Sequence, residues 1–379
     1  MKIKKSLLSV LRPLASVLLA FVIGAIIIAA LGGSPTQAVA YLFRGAFGTP
    51  NNFASTLVKA TPLIFTGLCA CFAYRCGVFN LGGEGQFIMG SIATCWVATT
   101  WGLEGPGATV LCLLFGALAG GIWGAIPGIL KITRGLNEMI VSIMLNYVAT
   151  LFMGLLYTSV LREGNVPQTA AVPDATQLQR IVPDLRVACG IVIALAVAAV
   201  VQYFLFSTSK GFQLRAVGLN MTAARFNGFN VKKYILFSFI VSGAIAGLGG
   251  SVELLGTQYR LISGYAVGYG FDGVAMALIA QLNPVATVVV AYFFAVLRTG
   301  ANTMQAGTGV PTSVIDIIQA LVIVLAVAGP DRPATATRGR GGGVGGGGLG
   351  GGKAAQDPPM ADKPHRKEKG GEVRWISAN

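Results

Sequence analysis

Apolar positions along this chain gather into runs about as long as an α-helix needs to cross a bilayer, roughly 20 residues. Eight runs are strong: 14–31, 54–74, 107–130, 138–157, 187–206, 234–255, 285–301 and 312–329. Two more, 78–97 and 266–281, are weaker, rich in glycine, and each carries an acid. The pattern predicts an all-α polytopic membrane protein of about ten transmembrane helices. The two weak segments are expected to be broken or re-entrant, because glycine and a carboxylate both disfavour a continuous lipid-facing helix. They lie in opposite halves of the chain and share the same physics, which suggests two structurally related halves. Residues 1–329 form the membrane domain of this reading.

Composition agrees. Of 379 residues, 54% are hydrophobic and only 11% charged, and the mean hydropathy is +0.69. An ordinary soluble domain is about 25% charged. The formal net charge is +14, but the basic residues sit in short loops between apolar runs, which argues against nucleic-acid binding. With ten spans and an inside N-terminus, twelve Lys and Arg fall in inside stretches (Lys2, Lys4, Lys5, Arg12, Arg75, Lys131, Arg134, Lys210, Arg215, Arg225, Lys232, Lys233). Five fall outside: Arg44, Arg162, Arg180, Arg186 and Arg260. The excess of positive charge predicts both termini in the cytoplasm. The first apolar run, at 18 residues and followed by many spans, reads as an uncleaved helix rather than a signal peptide.

Residues 330–379 differ. Eleven of the fourteen residues from Gly339 to Gly352 are glycine, and the remainder is rich in Lys, Arg, Pro and Asp. Such a composition cannot bury enough apolar area to offset its ordering entropy, so a disordered tail is expected. Gly347 to Lys353 satisfies GxxxxGK, but Ala354 stands where a phosphate loop needs Ser or Thr, and no strand precedes it. The six cysteines contain no CxxC pair and read as packing residues. The sole histidine, His365, lies in the tail, so a histidine-based metal or catalytic site is not expected.

Three constellations carry functional expectations. The first, Gly77 to Gln86, contains Asn80, Glu84 and Gln86. A carboxylate at helix centre costs at least about 2.5 kcal/mol, so Glu84 is either partnered or faces a wet cavity. A transport site and a tight helix crossing both remain open here. The second, Gly268 to Pro284, contains Phe271, Asp272, Gln281 and Asn283, and repeats the pattern of glycines around one acid. Lys59, Arg75 and Arg298 are the available cationic partners. The third is the loop 207–233, with five basic residues and no acid. Within it Asn220 can cap a short helix, Met221 to Asn227, which Gly228 can end. That helix is either a handle for a partner or part of a basic connector touching headgroups. The outside loop 159–186 is likewise either a docking surface or a solvated connector.

The segment Phe79-Asn80-Leu81-Gly82-Gly83-Glu84-Gly85-Gln86 resembles the signature of nucleoside-type ABC importer permeases, which group with the ribose and branched-chain amino-acid permeases. Leu214-Arg215-Ala216-Val217-Gly218-Leu219-Asn220, with Ala223-Ala224-Arg225 and Gly228, is similar to that group's ATPase-coupling segment. Gly270 to Ala275 with Asn283-Pro284, and Gly309-Val310-Pro311 with Ile318-Gln319-Ala320, match its second-half motifs in order. The resemblance implies a substrate pathway near Asn80, Glu84, Gln86, Phe271, Asp272, Gln281 and Asn283. It implies ATPase coupling through Arg215, Gly218, Asn220, Ala223, Ala224, Arg225 and Gly228. It further implies two cytoplasmic ATP-binding-cassette subunits, or one duplicated ATPase, carrying the ATP and Mg. No cofactor is expected on this chain. A second permease subunit, different or identical, and an external substrate-binding lipoprotein complete the set. The implied cargo is a nucleoside or, as the alternative, a simple sugar. An ion-coupled secondary transporter, using Glu84 and Asp272, is the remaining rival; a membrane enzyme has no catalytic cluster to support it.

Overall fold

The computed structural model describes residues 17–102, 105–180, 189–265 and 268–327; the start of the chain and the Gly-rich tail lie outside the described residues. All ten predicted segments are helical. They are α1 (Val17–Ala30), α3 (Pro50–Arg75), α4 (Gly83–Thr100), α5 (Pro106–Arg134), α6 (Glu138–Leu155), α7 (Gly190–Ser207), α10 (Val231–Glu253), α11 (Tyr269–Ile279), α12 (Pro284–Thr308) and α13 (Ser313–Val327). Three further helices lie in the connections: α2 (Pro35–Phe47), α8 (Ser209–Leu219) and α9 (Met221–Phe226). By length and composition α3, α5, α10 and α12, together with α6 and α7, can each cross a membrane. The pair α1 and α2, bent by 117°, passes the same test only when taken together. At 11 residues α11 spans about 16 Å, half a hydrocarbon core, and so is a half-helix.

The two halves interlock. The long helix of each half, α3 or α10, packs along the helix that follows the weak segment of the other half: α5 lies on α10, and α12 on α3. The weak-segment helices cross over in the same sense, α4 against α10 and α11 against α3. This exchange buries α3 almost completely from Ala60 to Tyr74. The α5–α10 seam is built from glycines at four-residue spacing: Gly116, Gly120 and Gly124 against Gly243 and Gly247. A Cβ on Gly120 would stand 2.4 Å from the Gly243 carbonyl oxygen, and one on Gly247 would stand 2.4 Å from that of Gly116. Between helices in lipid, where no hydrophobic effect drives association, such close backbone approach supplies the packing energy.

The interruption near 78–97 is placed differently from the expectation that glycine breaks the segment itself. α4 is continuous from Gly83, and the break precedes it, in the non-helical stretch 77–82. Gly85 lies inside the helix because a neighbour approaches it closely: a Cβ there would stand 2.9 Å from Asn146 Oδ1, whereas one on Gly83 would make only ordinary contacts of 3.7 Å with Cys69 and Gly270. The described part of the loop after α6 is tied down. Thr169 and Val172 donate backbone N–H groups to Leu261 and Tyr259 (3.2 and 2.8 Å), so residues 168–172 run beside the α10–α11 link. All six cysteines are free thiols, five of them buried.

Candidate functional site

After α3 the chain turns at Gly77 (φ 73°) and climbs back along α3. Gly83 reaches the level of Cys69, six residues or about 9 Å in from the helix end. Non-helical chain at that depth must find partners for its backbone. It finds amides. Asn80, 1% exposed, donates to Gln86 Oε1 (3.0 Å) and Ser242 Oγ (2.9 Å), and its own Oδ1 accepts from Gly82 N (2.9 Å). Asn146 on α6 donates to the Leu81 carbonyl and accepts from Gly85 N, both at 2.9 Å. Asn80 and Gln86 are therefore enclosed beneath the start of α4.

The second weak segment reaches the same place from the other direction. Gly268, in the left-handed region (φ 81°), begins α11, and its N–H donates to Glu84 Oε1 at 3.2 Å. A Cβ on Gly270 would lie 2.4 Å from Glu84 N, so the two helix starts touch backbone to backbone. Each helix N-terminus carries a partial positive charge from its unpaired N–H groups. Glu84 stands in the first turn of α4 and Asp272 in the first turn of α11. Two acids thus meet two facing helix dipoles. Asp272 is further paired with Arg298 of α12, whose carbonyl accepts from Lys59 Nζ (3.4 Å). The other Glu84 oxygen is buried and has no partner among the described residues.

Gln281 and Asn283 lie elsewhere, one half-helix away at the far end of α11. Gln281 and Leu282 both have positive φ (52° and 57°), and their carbonyls accept from Arg75 Nη2 (3.3 Å) and Nε (2.7 Å). Asn283 caps α12, accepting from Val285 N at 3.0 Å. Phe271 is exposed on the outer face of α11. The acids are thus brought together, the Asn80–Gln86 pair lies under them, and Phe271, Gln281 and Asn283 stand apart.

Above the junction, on the side away from Arg75, lies a cavity of about 560 Å³. Lys59 and Tyr269 line it together with Glu253, Gln258 and Tyr259. Here α10 passes into a π-turn, Leu254–Gln258, and Tyr259 closes it at φ 58°. Such π-turns are frequent at functional sites. Glu253 is 3% exposed, and Gln258 Nε2 donates to it at 3.2 Å. Sequence reasoning missed this cluster. Its signal was Glu253 itself, a lone acid inside the apolar run 234–255.

The loop after α7 folds into α8 and α9. Asn220 caps α9 through Ala223 N (2.9 Å), and Gly228 (φ 80°) follows its end. Ala224 is buried against the bundle while Ala223 and Arg225 face outward. Leu219 and Phe226, one at each end of α9, are both 88% exposed. Gly218 seats α8 on the end of α3: a Cβ there would lie 2.2 Å from the Arg75 carbonyl oxygen and 2.9 Å from Gly77 N. Arg215 stacks on Phe206 (4.8 Å to the ring centre), as does Arg75 (5.2 Å).

A model of the permease component of the branched-chain amino acid transport system matches residues 52–327. The guanosine ABC transporter permease protein NupP of Bacillus subtilis is 38% identical over 84% of this chain and 93% of its own length. The glucose ABC transporter permease protein TsgB13 of Haloferax volcanii is 32% identical over 86% of this chain and 93% of its own. The nucleoside ABC transporter permease protein NupB of Lactococcus lactis is 32% identical over 83% and 89% respectively. No solved structure matches the chain at a significant level. With its interlocked helices, facing helix starts and this match across most of its length, the chain belongs to the branched-chain amino acid transport system permease family.

Proposed function

We propose that this chain is a permease subunit of an ATP-binding-cassette importer that carries nucleosides into the cell across the inner membrane. The observation that carries the reading is the seat of Gly218 on Arg75 and Gly77. Through α8 it joins the exposed helix α9 to the non-helical stretch that leads to Glu84. Arg75, Lys131, Arg134, Arg215 and Arg225 mark the end that is cytoplasmic by the positive-inside rule, and both termini lie there. A cytoplasmic ATPase subunit takes α9 in a surface cleft, with Leu219 and Phe226 as apolar anchors and Arg225 on the rim. Two such subunits, or one duplicated ATPase, hold the ATP and Mg.

ATP binding draws the ATPases together and displaces α9. α8 passes the displacement through Gly218 to residues 76–82, and these move the start of α4 against that of α11. Glu84 and Asp272 sit at that junction and hold the two helix starts in register. Closing and opening the junction alternately exposes a cavity to the two sides. A second permease subunit completes the pathway, and an external binding lipoprotein delivers the cargo. This chain performs no covalent chemistry. The nucleoside relatives support that cargo; the relative named for glucose supports a simple-sugar cargo as the second reading.

The test is uptake of radiolabelled uridine, adenosine and glucose in cells carrying the permease with its candidate ATPase and binding protein. Phe226→Ala should cut uptake about tenfold or more, with ATPase co-purification lost and the membrane level unchanged. Glucose uptake alone would change the cargo. Uptake that ignores the ATPase and collapses with an uncoupler would overturn the importer.

A further inference from the structure

We propose that the cavity between α3 and the π-turn of α10 is a ligand site that reads the vicinal hydroxyls of a ribose ring through Glu253 and Gln258. The inference rests on the nucleoside reading above and places its selectivity in this chain. At about 560 Å³ the cavity lies within the span of small-molecule sites, roughly 300–1,000 Å³. Of its buried lining residues, Pro62, Glu253 and Gly256, only Glu253 carries a polar side chain. Glu253, once ionised, only accepts hydrogen bonds and offers about four acceptor positions. Gln258 occupies one of these and keeps an N–H and a carbonyl for a ligand. A carboxylate beside an amide satisfies two neighbouring hydroxyls, each of which both donates and accepts. An aliphatic ligand would leave those groups unpaired in a buried site, which is costly. Tyr259 and Tyr269 add flat rings against which a base can lie. The Tyr259 hydroxyl donates to Gly256 O (3.1 Å), which fixes its ring.

The site also has a place in the machine. Tyr269 follows directly on Gly268, whose N–H reaches Glu84. A ligand held by Glu253 therefore rests on the junction that the α9 displacement moves. The π-turn is what turns Glu253 and Gln258 to the same cavity: five residues apart, they would face different sides of a regular α-helix.

The experiment compares uptake of uridine with that of 2′,3′-dideoxyuridine in the complete transport system. The unaltered permease should favour uridine about tenfold or more, and Glu253→Gln and Gln258→Leu should each bring the ratio within about threefold at equal membrane level. A residue that only shaped the π-turn would lower both rates and leave their ratio unchanged, and that result would overturn the inference. A second readout keeps Glu253 intact. Ser55→Cys, at the exposed rim of the cavity, is labelled from outside with an impermeant maleimide. Uridine should slow the labelling and dideoxyuridine should not; equal protection, or none, counts against the site. If the unaltered system takes up no nucleoside although uridine protects Ser55→Cys, the cargo reading fails while the site stands.

Discussion

The starts of α4 and α11 solve one problem in two ways. Both are helix N-termini inside the bundle, both carry an acid in the first turn, and both follow a stretch of non-helical chain. At α4 the backbone is held by neutral amides, Asn80 (itself braced by Gln86) and Asn146, and Glu84 spends its one resolved bond on a backbone N–H of the opposite half. At α11 the acid is held by a full charge, Arg298. The contact of Glu84 across the junction is cheap to break and remake, because it exchanges one hydrogen bond. The second must be moved as a pair, since separating two opposite charges away from water is costly. The helix start that faces the coupling segment is thus the loosely latched one, and its partner is the anchored one.

The comparison breaks most visibly at the anchor. Arg298→Ala leaves Asp272 without its counter-charge and should cost up to about 3 kcal/mol, less than a fully dry pair because both side chains keep some exposure. Thermal unfolding of purified protein in detergent measures it. Removing both charges together, Asp272→Asn with Arg298→Met, should recover most of the loss. If the double variant unfolds no later than Arg298→Ala, the pair is not what anchors α11.

Next in size is the amide cradle. Asn146→Ala strands two buried backbone groups, Gly85 N–H and the Leu81 carbonyl, and should cost about 2 kcal/mol. Asn146→Asp keeps the acceptor and loses the donor, so it should fall between the two. Hydrogen exchange of the 77–86 segment would locate the change: protection should drop there and stay level in α12. Uniform loss across the protein would mean the cradle is not local.

These contrasts explain which parts of the fold were legible in the sequence. The ten helical segments followed from apolar length alone, because lipid forces each backbone group to be satisfied within its own segment. The acids were legible as exceptions to that rule, and the cap at Asn220 as local chemistry. What could not be read was pairing. Lys59, Arg75 and Arg298 were equal candidates for the two acids, and only the crossing of α12 over α3 decides that Arg298 meets Asp272 while Arg75 binds the carbonyls of 281–282. The glycines beside Glu84 read naturally as helix breakers, whereas the structure uses Gly85 and Gly270 to let backbones touch. The stripe Gly116, Gly120 and Gly124 was open to view at its four-residue spacing, but its partner helix was not. Glu253 was visible as a stray acid; the π-turn that aims it was not, because one extra residue in a helical turn leaves no periodic trace.

The smallest expected effect is the sharpest test of the latch. Glu84→Gln removes the charge but keeps a side-chain carbonyl that can accept from Gly268 N–H, so stability should change by less than about 1 kcal/mol. Glu84→Ala removes the acceptor as well and exposes the facing helix dipoles to each other without a counter-charge. It should lose more stability than the glutamine variant and should also loosen the junction. Cross-linking reads that loosening directly: cysteines placed at Phe79 and Phe271, both exposed, should react over a broader range of linker lengths in Glu84→Ala than in Glu84→Gln. If instead glutamine is as damaging as alanine in both assays, the carboxylate charge is indispensable. The two helix starts would then be held by the same kind of force, and the asymmetry between a loose start and an anchored one would disappear.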